Sequence, residues 1–329
     1  MDFTRPPTAK ERLKLAARLA RLDNPEHLDR IDRVYKLMPG ELPPTGLVIR
    51  TGFSYRGTGV DADASDRKAP PHDLRPPATR LITSRGAALR FAVTLLAAAQ
   101  SNRKLGHKAR LSELGIAIGG DSRTLGWADL LAADSSDSNL GGVYVTSRDK
   151  RARSVRNALS ALAKAGLVSV PGIAGTRNRF EDFVLLNELG TDVLGEAEEY
   201  RVPRRTEETF TIASGFVANG WLHVLEDSEI ALLLMVACGK GSFPDSGLLV
   251  VPADIRLKNY GIHRDAYSSA RKTLEWFGLL DVEEVGRHED GRAENSELRV
   301  HRLGLVAGGF DRPAAQTVID TLTIQISRS

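Results

Sequence analysis

The sequence predicts a helix-rich α+β protein, and three observations lead there. RGAALRFAVTLLAAAQ from Arg85 and DSEIALLLMVACGK from Asp227 read as apolar helices. SRDKRARSVRNALSALAKAGLVSV from Ser147 and HRDAYSSARKTLEWFGLLDV from His263 read as longer helices that stop at a glycine before a strand. Each is followed by a turn-rich stretch, PGIAGTRNR or GRHEDGRAEN, and a further apolar segment, FEDFVLLN or SELRVHRL, which together read as a hairpin.

The elements fall into six parts. Residues 1–38 form a helical arm, with KERLKLAARLARL and PEHLDRIDRVYKLM parted at Asn24-Pro25, where proline suits a helix start. Lys10, Lys14, Arg18 and Arg21 run along one side of its first helix, a surface that either grips phosphates or stays in water on a docked helix. Residues 39–83, with PPTG, GTG, DADASDRK and APPHDLRPP, cannot build a periodic face and read as an extended or mobile linker, although LVIRTGFSY fits a strand. A first globular unit spans 84–195, a linker 196–221, a second unit 222–306 and a tail 307–329. Sliding the chain by 112 residues matches Ala158 with Ala270, Leu162 with Leu274, Gly166 with Gly278, Leu167 with Leu279 and Val170 with Val282, which points to an internal duplication.

Composition limits the function classes. The chain has 329 residues, 42% hydrophobic and 26% charged, enough for two ordinary domains plus arms. The longest apolar run, Ile230 to Cys238, is too short to cross a bilayer, and MDFTRPPTAKERLK lacks the apolar centre of a signal peptide, so the expectation is a cytoplasmic protein without a membrane partner. The lone Cys238 rules out an internal disulfide and a cysteine-cluster metal site, and reads as a small buried hydrophobe.

The order of elements in both units resembles the winged helix-turn-helix superfamily. The resemblance covers roughly Ser84 to Glu188 and Leu222 to Leu305 and implies two winged helix-turn-helix domains behind the arm. In that family the third helix enters a DNA groove with the hairpin wing beside it. Two such units behind an arm are similar to the twin winged-helix replication initiators of plasmids. The first unit departs from the pattern by about 24 extra residues around SNRKLGHKARLSELGIAIGGDSRTL, which leaves its second helix unplaced.

Charge locates the surface that would touch DNA. Wound at about 100° per residue, the helix from Ser147 gathers Val155, Ala158, Leu159 and Leu162 on one side. Lys150, Arg153, Asn157, Ser160 and Lys164 lie opposite, with Arg156 on the flank. Ser147 to Phe180 carries eight Lys or Arg and one acid, +7 locally, although the whole chain is only +3. Arginine pairs well with guanine edges and asparagine with adenine, so Arg153 and Asn157 are the expected base readers. Arg148, Lys150, Arg156, Arg177 and Arg179 are the expected phosphate contacts, their affinity coming from released counterions. His263 to His301, by contrast, carries six Lys or Arg against nine acids. The second unit is therefore expected to form a homodimer, or to make a lighter DNA contact through Arg264, Ser268 and Lys272. Trp276 on the same helix marks a protein contact or packs against the arm.

No catalytic pattern competes with this reading. CGKGS lacks the glycine a phosphate-binding loop needs five residues before Gly239, where Leu234 stands. The seven histidines are scattered, GGDS and DADASD read as turns, and no nucleophile sits in a triad or elbow pattern. The expectation is a protein that is not an enzyme and needs no cofactor or metal, binding double-stranded DNA through its first unit as a plasmid-type replication initiator. Two alternatives stand beside it: a dimeric transcriptional regulator on an inverted repeat, and a winged-helix protein-interaction module.

Overall fold

The computed structural model describes the chain apart from residues 1–5, 39, 59–67, 83–86, 102, 121–122, 133–134, 136, 141–142, 174, 177, 192–194, 242–246, 286–299 and 329. It is an α+β structure in which helices dominate and the sheets are small and antiparallel.

The arm folds as its sequence patterns require. Helix α1 (Ala9–Leu22) starts at Thr8, whose hydroxyl accepts the Glu11 N–H at 3.3 Å while the Glu11 carboxylate accepts the Thr8 N–H at 2.8 Å. That reciprocal cap satisfies two donors the helix end would leave bare. Helix α2 (Pro25–Leu37) starts where Asn24 Oδ1 accepts the Glu26 N–H at 3.1 Å. The arm is docked on the body, burying Leu15, Arg18 and Leu22 from α1 and Ile31 and Val34 from α2.

The linker 39–83 holds more structure than its composition implies. LVIR is strand β1 (Leu47–Arg50), with Leu47, Ile49 and Arg50 buried, and helix α3 (Pro77–Arg80) is buried throughout. In the first unit, α4 (Ala88–Ser101) is buried on nearly all sides and forms the centre of the core. Helix α5 (Trp127–Leu131) begins just after the inserted stretch that leaves the second helix unplaced in the sequence; the Asp129 carboxylate caps it by accepting the Gly126 N–H at 3.0 Å. A hairpin of β2 (Ser138–Leu140) and β3 (Val143–Val145) then leads straight into the long helix α6 (Ser147–Lys164). Beyond it, β4 (Val168–Ser169) pairs with β5 (Val184–Leu185), Val168 opposite Leu185.

The second linker also carries a strand, β6 (Thr209–Ile212), and it pairs antiparallel with β1, Ile49 opposite Phe210. Arg50 is locked there by Glu188 at 2.6 Å and Glu207 at 2.5 Å, with a further bond to the Arg201 carbonyl at 3.0 Å. Two segments that look like connectors in isolation thus become one sheet, because each offers the other the partners its backbone lacks. Short helices α7 (Gly215–Ala218) and α8 (Trp221–Val224) follow.

The second unit consists of α9 (Asp227–Cys238), β7 (Leu249–Val250), α10 (Ala253–Lys258), α11 (Arg264–Trp276), β8 (Leu280–Val285) and β9 (Val300–Leu305). Its sheet runs β7-β9-β8, with Val282 opposite Leu303. The tail contains α12 (Ala314–Ser327), which buries Ala314, Ala315, Val318 and Leu322 and packs along α1.

The 112-residue match in the sequence has a local structural counterpart. Helices α6 and α11 end 112 residues apart, at Lys164 and Trp276. Both are followed by a left-handed glycine, Gly166 at φ +70° and Gly278 at φ +65°. In both, the next residue donates back across the last turn, Leu167 to Leu162 and Leu279 to Leu274, each at 2.9 Å. The units nonetheless share one core, which runs without interruption from Leu15 to Leu322. Cross-unit hydrogen bonds seal it, from Arg90 to the Leu225 carbonyl at 3.0 Å and between His223 and the Leu131 carbonyl at 3.2 Å.

Candidate nucleic-acid interface

Helix α6 is held rigidly at its start. Thr146 accepts the Asp149 N–H at 3.1 Å, and Asp137, the residue before β2, accepts the Ser147 N–H at 2.6 Å. The Tyr144 hydroxyl on β3 also donates to Asp137, and these bonds, that of Tyr144 foremost, hold the Asp137 carboxyl below its ordinary value. The hairpin thereby fixes the first turn of the helix.

The faces of α6 divide as its periodicity dictates. Ala152, Val155, Ala158, Leu159 and Leu162 are buried, whereas Arg153, Arg156, Asn157, Ser160 and Lys164 are exposed. Among the described residues, the side chains of Arg153, Arg156 and Asn157 have no hydrogen-bond or ion-pair partner, so three long polar groups project together into solvent. Arg148 and Lys150 are half-buried beside them. In the hairpin beyond, Arg179 is half-buried with its guanidinium 5.1 Å from the Phe180 ring, and Ile173 is 76% exposed. Arg177 lies outside the described residues.

The residues expected from the second unit are differently placed. Arg264 and Ser268 are exposed on the first two turns of α11. Lys272 is half-buried, bonded to Glu11 of the arm at 2.9 Å and lying 4.9 Å over the Trp276 ring. Burial pulls the Glu11 carboxyl upward, but the hydrogen bonds from Lys272 and Thr8 outweigh it and hold it at about 2. Trp276 is half-buried and packs against the core.

The basic stripe of the arm does not form the continuous surface its spacing suggests. Arg18 is buried, its guanidinium paired with Glu229 at 2.6 and 2.8 Å, bonded to the Val224 carbonyl at 3.0 Å and stacked 5.0 Å from Phe277. Thr273 donates to the same carboxylate at 2.5 Å. Arg21 reaches Glu226 at 3.0 Å, and only Lys10 and Lys14 of the four remain exposed without such a pair among the described residues. A buried acid on α9 recruits Arg18, because an uncompensated charge there is costly.

Two basic groupings escape a sequence reading. His72 and Arg75 of the linker lie near the end of α6, where burial, joined by the charges of Arg75, Lys164 and Arg80, keeps the His72 imidazole below its ordinary value. Arg151 faces inward from α6, 7% exposed, with Nη1 on Ser147 Oγ at 3.2 Å and Nη2 4.0 Å from Asp129. Neither has a local signal, since both depend on segments brought in from elsewhere in the chain.

No protein-family model, curated protein or solved structure matches this chain. Among the described residues, no group of three His, Cys, Asp or Glu side chains is placed to hold a metal ion, and no helix is long and apolar enough to cross a membrane.

Proposed function

We propose that the protein binds double-stranded DNA sequence-specifically through α6, as a winged helix-turn-helix protein of the plasmid replication-initiator kind. The observation that carries this is the outward face of α6, where Arg153, Arg156 and Asn157 stand exposed and unpartnered on a helix whose opposite face is locked in the core. Arg153 and Asn157 are one turn apart and address neighbouring base pairs, while Arg148, Lys150, Arg156 and Arg179 contact phosphates. A second unit of like element order suits an origin with repeated sites. There α11 offers Arg264 and Ser268 but has Lys272 tied to the arm, so reading falls chiefly to the first unit.

Selection of bound duplexes from a random pool at about 150 mM salt, with Arg153→Ala in parallel, tests this. An enriched motif that the variant loses is the expected result, and direct repetition of it supports the initiator role. An inverted repeat would favour a dimeric regulator instead. Absence of enrichment with the native protein would overturn the DNA reading.

A further inference from the structure

Three arginines come together beside α5, against which both α2 and α6 pack. Arg30 comes from α2, which packs against α5, and Arg148 and Arg151 come from the first turns of α6. Their acidic neighbours compensate them poorly: Glu26 lies 3.7 Å from Arg30 and Asp129 lies 4.0 Å from Arg151, both beyond hydrogen-bond reach. Among the described residues, Arg30 Nε and Nη2, Arg148 Nε and Arg151 Nε are buried without an acceptor. Burial first, and the charges of Arg30 and Arg148 after it, push the Arg151 guanidinium below its ordinary pKa. A buried donor without an acceptor is costly, and donors gathered in one place can be satisfied together by one anion that accepts from several of them.

We infer that Arg30, Arg148 and Arg151 form a binding site for a tetrahedral oxyanion, filled in use by one backbone phosphate of the DNA that α6 reads. Guanidinium forks match a phosphate's oxygens in pairs, and rotations of the arginine side chains re-aim their donors without moving the backbone. The site joins the arm to the reading helix, so a bound phosphate would tie α2 to the register of α6 on the duplex. This rests on the DNA-binding reading for the source of the phosphate, though not for the site itself.

Two measurements on the full chain separate those parts. In the first, the affinity for the selected duplex is followed against salt for the native protein, Arg30→Gln and Arg30→Lys. Loss of one phosphate contact makes the slope of log K against log salt shallower by about one unit in Arg30→Gln while the selected motif is unchanged. In the second, the 31P line of inorganic phosphate is titrated with the same proteins. Broadening by the native protein that Arg30→Gln abolishes, with an unaltered DNA salt slope, assigns the site to free phosphate and supports the oxyanion site without its DNA source. An unaltered slope together with unaltered broadening overturns the proposal. If the native protein binds no DNA, the DNA reading fails and the phosphate titration alone decides the site. Should Arg30→Gln unfold the arm, as its circular dichroism would show, Arg151→Gln is read in its place.

Discussion

Helices α6 and α11 end alike and differ in what lies over their outward sides. Both bury an alanine and a leucine at matching positions, Ala158 with Ala270 and Leu162 with Leu274, and both stop at a left-handed glycine. Yet α6 keeps an exposed stripe from Arg153 to Lys164, whereas the last turns of α11 lie under the arm, where Lys272 meets Glu11 and Thr273 meets the Glu229 carboxylate that holds Arg18. The lesson is that a shared framework fixes where a helix sits, and its neighbours decide whether it is available.

The contrast is broken most severely at Arg18. Arg18→Ala leaves the buried Glu229 carboxylate without its cation, and removal of one partner from such a pair costs about 3 to 5 kcal/mol. Urea unfolding monitored by circular dichroism would show it; a loss below about 1 kcal/mol would mean the arm contributes little to the second unit.

Next comes the functional half of the comparison. Arg153→Ala is expected to cost about 1 to 3 kcal/mol of discrimination for the selected motif, while Arg264→Ala on α11 leaves the motif intact. Equal effects from the two variants would show that both helices read bases.

A smaller effect distinguishes the two helix ends. A Cβ at Gly166 would stand 2.4 Å from Thr191 Oγ1 and 2.9 Å from the Thr191 backbone nitrogen, whereas one at Gly278 would meet the far end of Arg312 at 2.7 Å. Both alanines incur a left-handed penalty of about 1 to 2 kcal/mol, and Gly166→Ala is expected to lose more because backbone cannot step aside as a long side chain can. Thermal melts of the two variants decide the order.

The smallest is a pH effect. Glu11 titrates at about 2 in the folded protein against 4.5 ordinarily, so its pairing stabilises fully above 4.5 and the benefit fades as pH falls from there through 2. Because the pair is partly exposed, Lys272→Ala should cost only about 0.2 to 1 kcal/mol at neutral pH and progressively less as the pH falls toward 2. Stability measured against pH for both proteins checks this.

How much of this could be read from the chain alone follows from the distance over which each feature is decided. The start of α2 at Asn24-Pro25 and the buried stripe of α6 are local, set by capping and periodicity, and they fold as the sequence implies. Arg18 is different: its spacing puts it on a basic stripe, but its partner lies 211 residues away, so no local pattern distinguishes a solvated arginine from an anchor. The same holds for β1, whose partner strand sits in the other linker, and for Arg30, which acquires significance only through α6. The exposure of Arg153, Arg156 and Asn157 could be read locally, because periodicity alone sets which face of a helix turns outward.

The pairing of β1 with β6 bears on how the chain is made. Leu47 must wait for Ile212, and Arg50 for Glu188 and Glu207, before either is satisfied. At about 5 to 20 residues per second, roughly 160 residues of synthesis separate the two strands by about 8 to 30 s. During that interval the nascent chain carries an unpaired edge and an uncompensated arginine. Helix α6 is therefore completed inside a loop of chain that closes only after β6 has been made.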